Sequence, residues 1–304
     1  MTGRPSGRRR ATVAAVVVNY EAGTALATCA ASLRSAGVDE LVVVDNGSTD
    51  GSVDALRRNE PEATVLTPGP NLGYGAAANR GAAATVSAYV LVCNPDLVVS
   101  PGAVATLAEA LDADPGAGIV GPLVRTPEGG RYPSARRFPS LVDAAGHALL
   151  GMFRPENRYT RAYQQAGLDD LDDLDDLDGT SSGDAPVRPV DWVSGACMLV
   201  RRSAFEQVGG FDEAYFMYAE DVDLCWRAGR AGWSVLYVPD AEVTHQQGIS
   251  TAHRPYRMIL EHHRSLLRFA GRSTTGWRRL LLPLVALGIA ARAGLAWTRT
   301  LVGP

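Results

Sequence analysis

Cysteine is scarce and poorly spaced for chemistry. The 304 residues contain four, Cys29, Cys93, Cys197 and Cys225, and no two form a CxxC pair. That spacing argues against a disulfide framework or a thiolate zinc site and fits a reducing compartment better. Charge of one sign is also lacking: a formal net charge of −4 leaves no basic footprint for a nucleic-acid partner. A long apolar leader is missing too. Arg4, Arg8, Arg9 and Arg10 precede an apolar stretch, Ala11 to Val18, that is too short for a signal peptide and has no small-residue cleavage site. Residues 1–10 read as a disordered basic tail leading into a buried strand. The loop Asn71-Leu72-Gly73-Tyr74-Gly75 is glycine-bearing but has no P-loop lysine, so it is not an ATPase signature.

What is present is a large apolar fraction, 46%, against 20% charged residues. This is enough to bury a sizeable core in one large α/β domain with elaborations, or in two small domains. Over the first 125 residues, β-branched runs of strand length alternate with segments of helical spacing. Strands are expected over Val13–Val18, Glu40–Val44, Thr64–Leu66, Ala88–Cys93 and Ile119–Val124. Helices are expected over Thr24–Ser35, Gly51–Arg58, Tyr74–Thr85 and Pro101–Leu111. Continuous apolar strands alternating with helices imply a doubly wound, mostly parallel sheet covered on both faces. After a Pro-, Gly- and Arg-rich stretch, patterning returns with a turn and strand over Asp191–Val200. Helices follow over Arg202–Val208, Tyr218–Ala231 and Pro255–Phe269, with strands over Ser234–Val238 and Ala241–Thr244. The repeat at 168–178 alternates leucine with mutually repelling acids and reads as a solvated loop insertion. From Leu280 to Trp297 the chain is apolar except for Arg292, which is marginal for a membrane span. It reads either as a segment lying in a membrane interface or as a helix docked on the domain's own core.

Ligands bind in such sheets beyond the carboxyl ends of the strands. The residues there are Asn19-Tyr20-Glu21, Asp45-Asn46-Gly47-Ser48 and Asn94-Pro95-Asp96. Asp45 is placed to accept hydrogen bonds from a ribose hydroxyl or a pyrimidine N–H, while Ser48 and Asp50 suit turn and capping roles equally well. Asp96 is a carboxylate able to hold Mg2+ or Mn2+ on a diphosphate, although Asn-Pro-Asp by itself is also a turn. Glu220 and Asp221 open a helix behind the aromatic segment Tyr215-Phe216-Met217-Tyr218. They are either dipole-stabilised caps or a general base in a partly apolar cleft. His245, at a strand end, reads as a metal ligand or a structural histidine.

Taken in order, Val16-Val17-Val18-Asn19-Tyr20, Val44-Asp45-Asn46-Gly47-Ser48-Thr49-Asp50-Gly51, Asn71-Leu72-Gly73-Tyr74-Gly75 with Asn79-Arg80-Gly81, Asn94-Pro95-Asp96, and Gly209-Gly210-Phe211-Asp212-Glu213 with Glu220-Asp221-Val222-Asp223-Leu224-Cys225 resemble glycosyltransferase family two. The resemblance covers roughly Ala11 to Phe269. It implies the GT-A fold, an α/β architecture with a C-terminal acceptor-side subdomain and a helical tail. Within the family the chain is most similar to bacterial rhamnosyltransferases that use dTDP-L-rhamnose in cell-wall polysaccharide synthesis, adding rhamnose to a GlcNAc-diphosphate-polyprenol.

The resemblance implies that Asn19, Glu21, Asp45 and Asn46 surround the nucleoside, with Gly73, Asn79 and Asn94 on the same donor side. Asp96 and His245 would hold the divalent metal, Asn94 standing where the family's motif has its first Asp. Asp221 would be the general base, with Trp192, Ser194, Gly195 and Glu220 on the acceptor side. It divides the chain into the tail at 1–10, a nucleotide-sugar-binding half at 11–125, a loop region with the acidic insertion at 126–190, an acceptor and catalytic half at 191–270, and an apolar, membrane-associating helical tail at 271–304. The partners expected are a nucleoside-diphosphate sugar and a lipid-linked glycan, without nucleic acid, in a peripheral protein at the cytoplasmic face of the plasma membrane. Two alternatives stand beside this: a non-catalytic, membrane-associated scaffold that binds a nucleotide sugar, and a nucleotidyltransferase. The second is disfavoured by the absence of Lys or Arg from Val16 to Gly23.

Overall fold

The computed structural model describes residues 11–138, 186–246 and 255–302. The basic tail at 1–10 and the acidic repeat at 168–178 lie outside the described residues. The first half runs β1 (Val13–Asn19), α1 (Ala25–Ser35), β2 (Glu40–Asp45), α2 (Ser52–Asn59), β3 (Thr64–Leu66), α3 (Tyr74–Ala83), β4 (Tyr89–Cys93), β5 (Leu97–Val99), α4 (Ala103–Ala113) and β6 (Ala117–Arg125). Short strands β7 (Arg131–Tyr132), β8 (Ala135–Arg136), β9 (Arg188–Val190) and β10 (Trp192–Val193) precede β11 (Cys197–Arg201), α5 (Arg202–Gln207), α6 (Glu220–Arg230) and β12 (Ser234–His245). The chain closes with α7 (Pro255–Ser273), a 3-10 turn (Gly276–Leu281) and α8 (Leu282–Val302).

The main sheet has the order β3-β2-β1-β4-β11-β6-β12-β5. Strands β3, β2, β1 and β4 are mutually parallel, and β12 runs parallel to β6. The mostly parallel sheet expected from the sequence is therefore present, with β11 inserted antiparallel between β4 and β6. Alternation along each strand separates the two faces. Val13, Ala15 and Val17 pack with Leu26, Leu33, Leu56, Leu107 and Leu111 of α1, α2 and α4. Val16, Val18, Val42 and Val44 pack with Tyr74 and Ala78 of α3, Phe205 of α5 and Leu224 of α6. Each fully buried Val or Leu is worth about 1.5–3 kcal/mol, so both faces are strongly tied to the sheet.

Two elements depart from the sequence reading. Ser234–Val238 and Ala241–Thr244 form one strand, β12, whose register against β6 shifts between Val238 and Glu242, around Pro239. A proline donates no ladder hydrogen bond, and the bulge absorbs it. Strand β5 was unanticipated, because three residues after a turn motif carry too little pattern. The apolar tail, read either as an interfacial segment or as a helix docked on the core, is part buried and part exposed. Val285 of α8 and Phe269 of α7 are buried, while Trp277, Leu280, Leu284 and Leu287 are exposed. No helix among the described residues is long and apolar enough to cross a membrane.

Candidate active site

A cavity of about 820 Å³ opens at the carboxyl ends of β1 and β4, on the face that carries α3 and α6. Its size suits a nucleotide-sized ligand. Asn46, Asn94, Asp96, Trp192, Ser194, Gly195, Glu220, Asp221 and His245 line it, bringing together nine of the expected site residues.

Strand β5 explains why Asp96 and His245 meet. It pairs antiparallel with the end of β12, setting Leu97 opposite His245, and Gln246 N–H donates to the Asp96 carbonyl at 3.1 Å. His245 Nε2 thereby lies 3.1 Å from Asp96 Oδ1 and 3.1 Å from Asn94 Nδ2. Asp96 Oδ1 and His245 Nδ1 are buried and have no hydrogen-bond partner among the described residues. Tyr132 stands edge-on to the His245 ring. A carboxylate oxygen left without a donor beside an imidazole nitrogen is a donor set that a hard divalent cation would satisfy. Two protein ligands with a diphosphate completing the shell fit such an ion, although the described residues hold no group of three His, Cys, Asp or Glu suited to a metal.

Across the cavity, Tyr218 and Ala219 adopt left-handed backbone conformations, φ 69° and 60°, immediately before α6. Non-glycine residues pay about 1–3 kcal/mol each for such strain, and it persists where surrounding structure enforces it. The enforcing contacts are present. Phe216 O accepts from Tyr74 N–H at 2.9 Å, and Met217 O accepts from Ser265 Oγ–H at 2.9 Å. Gly73, at φ 90°, is required here, since any Cβ would collide with the Phe216 carbonyl.

The strained turn aims the first turn of α6 inward. Asp221 Oδ2 accepts from Gly195 N–H at 2.8 Å and its Oδ1 from Val222 N–H at 2.8 Å. Glu220 is buried, and its Oε2 has no partner among the described residues. A helix start favours a carboxylate by only about 0.3–1 kcal/mol. Burial outweighs it, with the neighbouring Asp221 charge acting in the same direction, and Glu220 is pushed up to about 8. Burial also raises Asp221 above the usual carboxylate value, opposed by its two backbone N–H donors and by Arg136. A general base with raised proton affinity in a partly apolar cleft is what proton abstraction from a hydroxyl requires.

Five expected site residues do not line the cavity. Asn19 and Asp45 sit at odd positions of β1 and β2, on the α1–α2 side, whereas Val18, Tyr20 and Asn46 at even positions reach the cavity. Asn19 Nδ2 donates to Asp45 Oδ1 at 2.9 Å, and Ser48 Oγ–H donates to the same oxygen at 2.6 Å. Glu21 accepts from Thr49 N–H at 3.0 Å and so braces the loop. Gly73 permits the contact with Phe216. Asn79 clasps Phe211 through both its N–H and its carbonyl, at 2.9 Å each. Sequence reasoning missed Arg136, Tyr132 and the left-handed pair. The first two sit in a stretch without periodicity, and backbone strain leaves no residue signature at Tyr218.

Residues 14–174 match the profile of "Glycosyl transferase family 2", just over half of the chain. The chain belongs to this family. Residues 150–299 also match "Glycosyl transferase family group 2". The chain is 44% identical over 277 residues to the N-acetylglucosaminyl-diphospho-decaprenol L-rhamnosyltransferase of Mycobacterium tuberculosis, covering 87% of this chain and 85% of that one. It is 31% identical over 158 residues to rhamnosyltransferase WbbL of Escherichia coli K12, 52% of each chain. Among solved structures it resembles the mannosyltransferase PcManGT of Pyrobaculum calidifontis, in complex with GDP-Man and Mn2+. That likeness has a TM-score of 0.54 at 17% identity and covers 99% of this chain and 78% of that one. GalNAc-T7 with UDP, GalNAc and Mn2+ matches with a TM-score of 0.56 at 15% identity, over 78% of this chain and 43% of that one. At these identities the structural likenesses establish the GT-A fold alone. Family membership sets the nucleotidyltransferase alternative aside.

Proposed function

We propose that this glycosyltransferase moves an L-rhamnosyl group from dTDP-L-rhamnose to a hydroxyl of a polyprenyl-diphosphate-linked GlcNAc acceptor in cell-wall synthesis, with inversion at the anomeric carbon. The observation that carries the chemistry is Asp221, held by the Gly195 N–H against the cavity. The mycobacterial relative's name supports the choice of donor sugar and acceptor.

In this reading Asp221 takes the proton of the acceptor hydroxyl. The hydroxyl oxygen bonds to the anomeric carbon as the carbon–oxygen bond to the diphosphate breaks. The electron pair of that bond leaves with the nucleoside diphosphate. Asn46, Tyr20 and Asn71 face the nucleoside, with the Asn19–Asp45–Ser48 cluster fixing the loop beneath them. Asp96 and His245 are the residues that would hold Mg2+ or Mn2+, with Asn94 beside them. The bound ion would supply Lewis-acid stabilisation of the leaving diphosphate. Trp192, Ser194 and Glu220 flank Asp221 on the acceptor side.

We also propose a peripheral position at the cytoplasmic face of the plasma membrane. Exposed Trp277, Leu280, Leu284 and Leu287, beside exposed Arg278 and Arg279, support it, since apolar anchors with basic neighbours suit an anionic interface. The test is incubation with a panel of nucleotide sugars, a divalent metal and a GlcNAc-diphosphate-alkyl acceptor, followed by mass spectrometry of the product. A rhamnosylated product from dTDP-L-rhamnose is expected. Donor binding without any product would instead describe a non-catalytic scaffold.

A further inference from the structure

We propose that Arg136 forms an anion subsite that recognises a phosphate group of the acceptor. Arg136 lies on β8, which pairs antiparallel with β10 so that Arg136 stands opposite Trp192. This two-stranded ribbon is separate from the main sheet and contributes both residues to the cavity wall. The guanidinium is fixed at two points. It lies 5.4 Å from the Trp192 ring centroid, and its Nε–H donates to the Pro133 carbonyl at 2.9 Å. Among the described residues, no hydrogen bond or ion pair uses either of its terminal nitrogens. Stacking and one backbone bond thus leave a pre-oriented fork that can bind a phosphate through two parallel hydrogen bonds.

The remainder of the lining sharpens the assignment. The cavity is walled by the carboxyl groups of Asp96, Glu220 and Asp221, and Arg136 is the single guanidinium among its described lining residues. A simple counter-charge to Asp221 would form an ion pair with it. Instead the two Asp221 oxygens accept from Gly195 and Val222 N–H groups, and Arg136 acts on Asp221 only through its field. The contacts of Arg136 lie with Trp192 and toward Asp221, on the side where the acceptor hydroxyl must be deprotonated. In the functional reading the Asp96–His245 pair serves the donor diphosphate. This subsite rests on the functional reading above, in which the acceptor carries a diphosphate.

The test is calorimetric binding, which does not depend on turnover. Wild type, Arg136→Gln and Arg136→Lys are titrated with a short-chain GlcNAc-diphosphate-alkyl compound, with the neutral alkyl glycoside of GlcNAc, and with dTDP-L-rhamnose. Wild type is expected to prefer the diphosphate compound over the neutral glycoside. Arg136→Gln should reduce that ratio roughly 10- to 100-fold, the scale of a lost charge-assisted pair. Arg136→Lys should recover part of it, as a point charge without the fork. Equal affinity of the wild type for the two GlcNAc compounds, or an unchanged ratio in Arg136→Gln, overturns the subsite. Weakening confined to dTDP-L-rhamnose overturns it as well, by assigning the guanidinium to the donor phosphates. Matched thermal melts show whether Arg136→Gln is folded, and Arg136→Lys supplies the same comparison if it is not. If the functional reading alone were wrong, the wild type would transfer no sugar yet still show the Arg136-dependent ratio.

Discussion

His245 Nε2 stands 3.1 Å from Asp96 Oδ1, across a strand pair that joins the middle of the chain to its last strand. With Asn94 rather than a second carboxylate beside Asp96, the proposed metal assignment rests on this pair. Asp96→Ala and His245→Ala should each lower kcat/KM roughly 100-fold or more, the loss expected when several kcal/mol of leaving-group stabilisation goes. Steady-state rates against Mn2+ concentration check it, with chelator abolishing and Mn2+ restoring wild-type activity. Full wild-type activity in chelator would refute the metal assignment.

Neighbouring acids in α6 have different surroundings. Asp223 is fully buried, lies 2.6 Å from Arg227 Nε and 3.4 Å from Arg272 Nη1, and does not line the cavity. Removing one partner of a buried pair costs about 3–5 kcal/mol. Asp223→Ala should therefore lower the urea midpoint markedly, whereas Asp221→Ala should shift it far less. The reverse order would mean that the two roles are exchanged.

A Cβ built on Gly195 would stand 3.2 Å from Asp221 Cβ and 3.3 Å from its Oδ2. Gly195→Ala should push the carboxylate off its N–H donor and reduce kcat about 10-fold or more, since small displacements of a catalytic group are costly. The donor Kd should stay within about two-fold, because the uniform binding of donor is untouched. Calorimetry with dTDP-L-rhamnose and steady-state kinetics separate the two effects.

The pH dependence of stability follows from Glu220. Its folded-state value is raised from 4.5 to about 8, so the fold favours the protonated acid. The stability this contributes is whole below the unfolded value near 4.5 and is lost as pH rises through about 8. Glu220→Gln removes that loss. Its melting temperature relative to wild type should climb by several degrees between pH 5 and pH 8.5, then level off. A difference independent of pH would show that Glu220 ionises normally. The raised proton affinity of Asp221 moves in the same direction and should place the acid limb of kcat/KM above the usual carboxylate range.

The fold was legible where patterns were long. Val13–Asn19 and Ala25–Ser35 carry unbroken β-branched or helical spacing, and the structure follows them to within a residue or two. Asp96, Asp221 and His245 were legible because they end or begin such elements. The meeting of Asp96 with His245 was not, since it depends on β5, three residues long and held between β12 and Ser32 of α1. The division of the expected donor residues between two faces was not legible, for a different reason. Strand alternation sends Asn19 and Asp45 to one face and Asn46 to the other, and a motif quoted as a continuous string conceals that division. Arg136 has no periodic context at all and becomes visible only when β8 is seen beside β10.

The proposed transfer chemistry stands or falls on Asp221. Asp221→Asn keeps the side-chain shape and removes the base. Its kcat for rhamnosyl transfer should fall about 10²–10⁴-fold, the usual contribution of general-base catalysis, while its Kd for dTDP-L-rhamnose stays within about two-fold of wild type. Substantial turnover in that variant, with the donor still bound, would remove Asp221 as the general base.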